Sequence, residues 1–111
     1  DLYGMLVTDL DSAEVSGNDV HGIRWSGSLS QGAYGDGFGM GLWTIDELTM
    51  TDNLVFDVDV VGVFLQESTF TSTDDAVTDN HLWGLYIGES AGTFTGLSLE
   101  RNAITGADIR T

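Results

Sequence analysis

The chain has two histidines, and each lies shortly after an aspartate. His21 follows Asp19, and His81 follows Asp79. If the fold brought these four side chains together, they could bind Zn²⁺ or Ni²⁺. Neither histidine belongs to a His-x-His or His-x-x-x-His pattern, so nothing local joins the two rings. We therefore expect each histidine to be a strand-end residue that is satisfied by a nearby carbonyl group or by water.

Carboxylates are clustered, and clustered carboxylates are the ligands that Ca²⁺ prefers. Asp9–Glu14 begins like a calcium loop, but it lacks the glycine and the closing glutamate of an EF-hand. The segment 73–80 is a better irregular site because it holds three aspartates and one asparagine between two extended runs. A solvated loop is the alternative. We expect weak Ca²⁺ binding here, with these ligands: Asp74, Asp75, Asp79 and Asn80.

Asp57 and Asp59 form an Asp-x-Asp pair on one strand face. Their side chains would lie about 7 Å apart, which falls within the range of an inverting glycosidase. Any Asp-x-Asp strand gives this distance, and a small β-domain has little material for a substrate cleft. The chain has no cysteine, and its two histidines give a Ser–His–Asp triad no local support. We therefore expect no enzymatic activity.

The charge of the chain restricts its partners. Three arginines and no lysine stand against 18 acidic residues, giving a net charge of −15. Such a chain repels nucleic acids and anionic membranes, whereas cations and neutral sugars remain compatible with it. The longest apolar run, Val60–Leu65, is far too short to span a membrane, so no membrane insertion is expected.

The composition also favours an exported protein. The sequence is free of cysteine and lysine and rich in Asp, Gly, Thr and Ser, as many bacterial surface proteins are. It begins at Asp1 without an initiator methionine, which fits a processed or excised segment. We expect an extracellular or cell-surface location. A high-salt habitat is a rival explanation of the acidity.

Alternation of apolar and polar residues predicts strands along most of the chain. In the run 54–64, the even positions are predicted to be core, and turn residues separate seven or eight short strands. Thr44–Glu47 carries the only helix-start signal. Short connections favour antiparallel pairing, so we predict one all-β domain over 1–111, an antiparallel, jelly-roll-like β-sandwich or a small barrel. Val15–His21 faintly resembles Val77–His81, which would fit two similar halves.

Glycines occupy every second position in the segment 33–43. Glycine weakens a strand interior, so this pattern needs a reason. The first explanation is strong coiling at a barrel corner or a sandwich edge, with Trp side chains over the glycines. The second is close approach of another backbone, including one from a neighbouring molecule. A phosphate-binding loop is a poor third, because no basic residue or helix is nearby. The glycines are Gly35, Gly37, Gly39 and Gly41.

Six large aromatic side chains could form a flat platform for sugars: Trp25, Trp43, Trp83, Tyr3, Tyr34 and Tyr86. Their strand positions predict that most belong to the core. Two or three of these rings lying coplanar and exposed would instead indicate a polysaccharide-binding module. Such a module, or a calcium-dependent adhesin, is the alternative function.

The leading hypothesis is a structural module that assembles with itself. The chain has no proline and no lysine, the residues that usually protect sheet edges. Residues 1–8 form an apolar strand that could complete the sheet of a neighbouring copy. We therefore predict a homopolymer, a filament or surface layer, built by β-strand addition. The predicted contacts are the four glycines together with Leu2, Tyr3, Met5, Leu6 and Val7.

Overall fold

A computed structural model describes residues 3–24, 37–102 and 105–110, the last segment through its backbone alone. Trp25, Tyr34, Gly35 and Leu2, which the sequence singled out, lie outside these residues. Eleven strands make up the fold within them: β1 (Tyr3–Ser16), β2 (Asp19–Ile23), β3 (Phe38–Thr51), β4 (Leu54–Val58), β5 (Val61–Gln66), β6 (Thr69–Thr73), β7 (Ala76–Thr78), β8 (Trp83–Gly88), β9 (Ala91–Thr95), β10 (Ser98–Glu100) and β11 (Thr105–Arg110).

The prediction of an all-β fold is confirmed, but the prediction of antiparallel pairing in a sandwich or barrel is wrong. Every strand pair in the described residues is parallel. Parallel neighbours need a long crossover, which the short turns do not provide on their own. In this fold the crossover between two parallel neighbours is formed by the other two faces of the coil, because the chain passes through them before it returns to the same face. The architecture is a parallel β-solenoid.

Each coil contributes strands to three faces. The first face contains the first halves of β1 and β3, followed by β5, β8 and β11. The second contains the second halves of β1 and β3, then β6 and β9. The third consists of β2, β4, β7 and β10. Val61 pairs with Trp83, and Trp83 with Thr105, so a complete coil takes 22 residues.

The corners between the faces are built from left-handed residues stacked on one another. At the corner between the second and third faces, the residues with positive φ are Gly17, Asp52, Asp74 and Gly96. Glycine and aspartate are among the residues that tolerate this conformation best. Thr44 lies at another corner, with φ of 56° inside β3, so the helix-start signal at Thr44–Glu47 marks a bend. None of the described residues belongs to a helix that could cross a membrane.

The core runs along the axis as columns of apolar side chains. Leu42, Leu65 and Ile87 occupy the same position in successive coils and are buried. The predicted core stripe at 54–64 is only partly correct. Val58 and Val60 are buried, but Leu54 is 37% exposed and Val55 takes its place inside. Alternation fails here because Asp57, with φ of 55°, bends the chain near the end of β4.

Candidate binding face

Threonines cover the outer side of the second face. On β6 the outward residues are Thr69, Thr71 and Thr73, while Phe70 and Ser72 point inward and are buried. The same alternation on β3 and β9 extends the array. We call this surface the threonine face; it consists of Thr49, Thr51, Thr69, Thr71, Thr73, Thr93 and Thr95.

The threonine face is a two-dimensional lattice because the strand register is constant. Thr49, Thr71 and Thr93 form one column, and Thr51, Thr73 and Thr95 form a second. Threonines in one column are about 4.8 Å apart, and the two columns are about 6.6 Å apart, from the geometry of parallel strands. The left-handed residues nearest this array lie at the corners, Asp52, Asp74 and Gly96 on one side and Thr44, Glu67 and Glu89 on the other, so the strand segments that carry it are regular. Each lattice point presents one hydroxyl and one methyl group.

Carboxylates border the two threonine columns, and two of them, Glu14 on β1 and Glu47 on β3, lie on the second face directly beside the threonines. Asp52 and Asp74 lie at the corner on one side, and Glu67 and Glu89 lie at the corner on the other. All four are exposed. On the adjoining β1, Glu14 continues one column and pairs with Thr49. A neutral panel with an acidic border is therefore present in a chain whose net charge is −15.

A buried polar ladder holds the corner beside the threonine face. Asn53 donates from its backbone nitrogen and its side-chain nitrogen to Asp75 Oδ1, at 2.9 and 2.8 Å. Its side chain also donates to the carbonyl of Val15 at 2.8 Å, and it accepts from Asn18 at 2.9 Å. Ser72, one strand position from the threonines, donates to the other oxygen of Asp75 at 2.5 Å. These bonds join three coils and fix the register of the lattice.

Serines fix the other border in the same way. Ser68 Oγ accepts a hydrogen bond from the nitrogen of Ile45 at 3.2 Å, and Ser90 Oγ accepts one from the nitrogen of Ser68 at 3.0 Å. Each hydroxyl also donates within its own corner. A shallow groove of about 500 Å³ follows this corner, lined by acidic residues, serines and Thr69. Both edges of the threonine face are thus held by bonds between coils.

The aromatic side chains do not form a sugar platform among the described residues. Phe64 and Tyr86 lie in successive coils of the first face with ring centroids 4.7 Å apart and an interplanar angle of 1°. Trp43 packs edge-on against Phe64, and Tyr3 packs edge-on against Trp43. Partial burial raises the pKa of Tyr3. Because the stacked rings cover each other's faces, little flat aromatic surface remains for a pyranose ring. Trp83 packs beside the same cluster.

Three of the four expected calcium ligands are engaged with protein groups, and the fourth, Asp74, is exposed at a corner. Asp75 is 2% exposed and accepts bonds from Asn53 and Ser72. Asp79 pairs with Arg101, whose hydrogen bond lowers the pKa of this carboxyl. Asn80 is buried and donates to Asn102. No group of three or more acidic or histidine side chains is arranged to hold a metal ion in the described part of the chain. Calcium binding at 73–80 stays a prediction.

The two histidines have separate partners. His21 contacts Asp19 at 3.0 Å and stacks on Phe56. His81 lies 3.0 Å from Asp57 and 2.9 Å from Asp59, so its partner is not Asp79.

Asp57 and Asp59 also share a cationic partner. Arg24 contacts Asp57 Oδ2 at 2.6 Å and Asp59 Oδ1 at 3.2 Å. The hydrogen bond from Arg24 is the main cause that lowers the pKa of Asp57. The Asp-x-Asp pair thus joins the end of β2 to the corner after β4.

The predicted assembly residues already contact their own chain. Met5 and Val7 pack against the core, and Tyr3–Thr8 pair with β3. The ring of Tyr3, and not the predicted tryptophan, covers Gly41. A Cβ at Gly39 would lie 2.5 Å from the carbonyl of Gly62, so a backbone does approach closely, but it belongs to the next coil. Gly37 has a φ of 79° and serves as a turn. The role of these residues in assembly stays a prediction.

Sequence reasoning missed the threonine face, although Thr-x-Thr recurs at 49–51, 71–73 and 93–95. Alignment of the sequence with itself at a spacing of 22 residues would have found it. Comparison with family models, curated proteins and solved structures found no match for this chain. The geometry of the solenoid is therefore the basis for a functional proposal.

Proposed function

We propose that this chain is a binding module of an exported protein, and that its threonine face lies against an extended, uncharged, regularly repeating surface. The observation that carries this proposal is the in-register array of seven threonines on one side of a parallel sheet. The extracellular location is part of the proposal and depends on composition alone.

The chemistry of threonine suits such a surface. Its branched side chain has few rotamers, so little conformational entropy is lost when the face is covered. Hydroxyl groups can donate and accept hydrogen bonds, and the methyl groups between them favour burial. The acidic border opposes anionic partners and close packing of copies against one another. A partner with a flat, uncharged and repeating surface therefore matches the threonine face and its acidic border better than a small ligand does.

Substitution at the centre of the threonine face tests the proposal. We expect the chain to be depleted from solution by at least one neutral crystalline solid, among cellulose, chitin and ice. Thr71→Glu should lose this adsorption because it places a hydrated charge between Thr49 and Thr93. Ser98→Glu, an equal change at an exposed position of the third face, should retain it.

Salt provides a second readout for adsorption. Binding through a neutral face should persist in 1 M NaCl, where interactions between exposed charges are screened. Loss of adsorption in salt would contradict the proposal, as would equal adsorption of Thr71→Glu and the unmodified chain.

Self-assembly by strand addition is the second candidate function, and the outer edge of β1 favours it. Among the described residues, β1 pairs with β3 alone. Leu6 and Leu10 on this strand are 50% and 45% exposed, and Leu10 lies over the buried Ile45 at the same core position. Another strand added here would cover both leucines and satisfy the free backbone groups of the edge.

Lysine substitution distinguishes edge addition from general hydrophobic association. We expect the chain to form larger species in sedimentation velocity at high concentration, and Leu10→Lys to suppress them, because lysine protects sheet edges. Leu54→Lys is the control, since Leu54 is also exposed but lies on β4, between β2 and β7. A monomeric unmodified chain, or equal suppression by both variants, would contradict assembly through β1.

A further inference from the structure

We propose that the repeating surface recognised by the threonine face is ice. This inference rests on the proposed function and names the chemistry of its ligand, which is crystalline water. The two repeats of the face, about 4.8 Å between strands and about 6.6 Å along a strand, are close to distances between equivalent oxygen atoms on surfaces of hexagonal ice.

Ordered water can form on this lattice before any contact with a crystal. The columns Thr49, Thr71, Thr93 and Thr51, Thr73, Thr95 place hydroxyls at regular intervals, where each can hold a water molecule. Methyl groups between them confine those waters to the intervals. The buried ladder of Asn53 and Asp75 keeps the intervals constant from coil to coil. The waters held by the face are then arranged as a layer that can merge with a growing crystal.

The composition of the face favours ice over polysaccharide. Sugar sites use aromatic rings for stacking together with carboxylates or amides for hydroxyl groups. The two threonine columns contain no aromatic ring, and a carboxylate, Glu14, occurs only at the β1 end of one column. The aromatic stack of Phe64 and Tyr86 lies on the first face. The exposed carboxylates at the corners, Asp52 and Asp74 on one side, are strongly hydrated. They would keep the rest of the molecule in liquid water while the neutral panel contacts the crystal.

Ice partitioning measures this binding directly. A dilute solution of the chain is frozen slowly from a cooled probe, and the protein in the ice is compared with that in the liquid. We expect the unmodified chain and Ser98→Glu to enter the ice, and Thr71→Glu to be excluded to the level of serum albumin. Thr49→Glu, on a different strand, should behave as Thr71→Glu does. Circular dichroism and melting curves establish that each variant is folded.

A second measurement uses the shape of a single ice crystal held just below its melting point. The unmodified chain should produce flat facets, and Thr71→Glu should leave a rounded disc. Exclusion of the unmodified chain from ice together with adsorption to cellulose or chitin would overturn this inference and leave the proposed function standing. Failure on all three solids would overturn both. Equal entry into ice of all the folded variants would also overturn it.

Discussion

Replacement of Asn53 by alanine should lower the free energy of unfolding by about 3 kcal/mol, because it removes three side-chain hydrogen bonds at a buried corner. Asn53 is 2% exposed and bonds to Asp75, Val15 and Asn18. Its removal takes one of three donors from the buried Asp75 carboxylate, and it takes a side-chain partner from the Val15 carbonyl and from the Asn18 amide. Urea denaturation followed by circular dichroism measures the effect.

Asn18→Ala is the matched control for this ladder. Asn18 is half-buried, and its side chain donates to Asn53 and to the carbonyl of Ser16. Water can replace these bonds, so the expected loss is only about 1 kcal/mol. Asp75→Ala should not add fully to Asn53→Ala, because the two residues belong to one network. Equal losses for Asn18 and Asn53, or full additivity, would contradict the role given to the ladder.

Gly62→Ala should destabilise the solenoid by about 1–3 kcal/mol through overpacking. A Cβ at this position would lie 2.6 Å from the carbonyl of Gly84 and 2.8 Å from both Asn80 Nδ2 and Val77 Cγ1. These neighbours belong to the coil wall and to the buried third face, so they have little freedom to move. A lower melting temperature with an unchanged circular dichroism spectrum is the expected result.

Gly17→Ala separates the steric cost from a backbone cost. Nothing lies within 4 Å of a Cβ at Gly17, but its φ is +65°. The free energy of unfolding lost by Gly17→Ala should be about 1 kcal/mol and should come only from the left-handed conformation at this position. Gly17→Asn should recover part of that loss. If Gly62→Ala proved harmless, the first and third faces would not be packed as closely as the glycines indicate.

The sequence predicted the class of secondary structure but not its arrangement. Alternation and turn residues correctly placed β-structure through most of the chain. Alternation is the same for parallel and antiparallel neighbours, so pairing was assigned from the shortness of the turns, which was misleading. The turn residues Asp52 and Asp74 do not reverse the chain; they bend it from one face to the next.

The repeat was the missing signal for both the fold and the candidate site. The faint match of Val15–His21 to Val77–His81 is not in structural register, because Val15 lies on the second face and Val77 on the third. The true period is visible when 61–73 is aligned with 83–95. The identical pairs are Gly62 with Gly84, Glu67 with Glu89, Ser68 with Ser90, Thr71 with Thr93, and Thr73 with Thr95. Such self-similarity is typical of solenoids.

The stacked corners also determine how such a chain can change its length during evolution. From Val61 onward, each coil meets the coil that follows it through the same register of 22 residues. Slippage during replication that duplicates or removes one 22-residue block would leave every remaining interface in phase, and one more row of threonines would be gained or lost with it. A one-residue slip inside a strand would instead turn its threonines inward. Whole coils are therefore the heritable unit by which the area of this surface can grow.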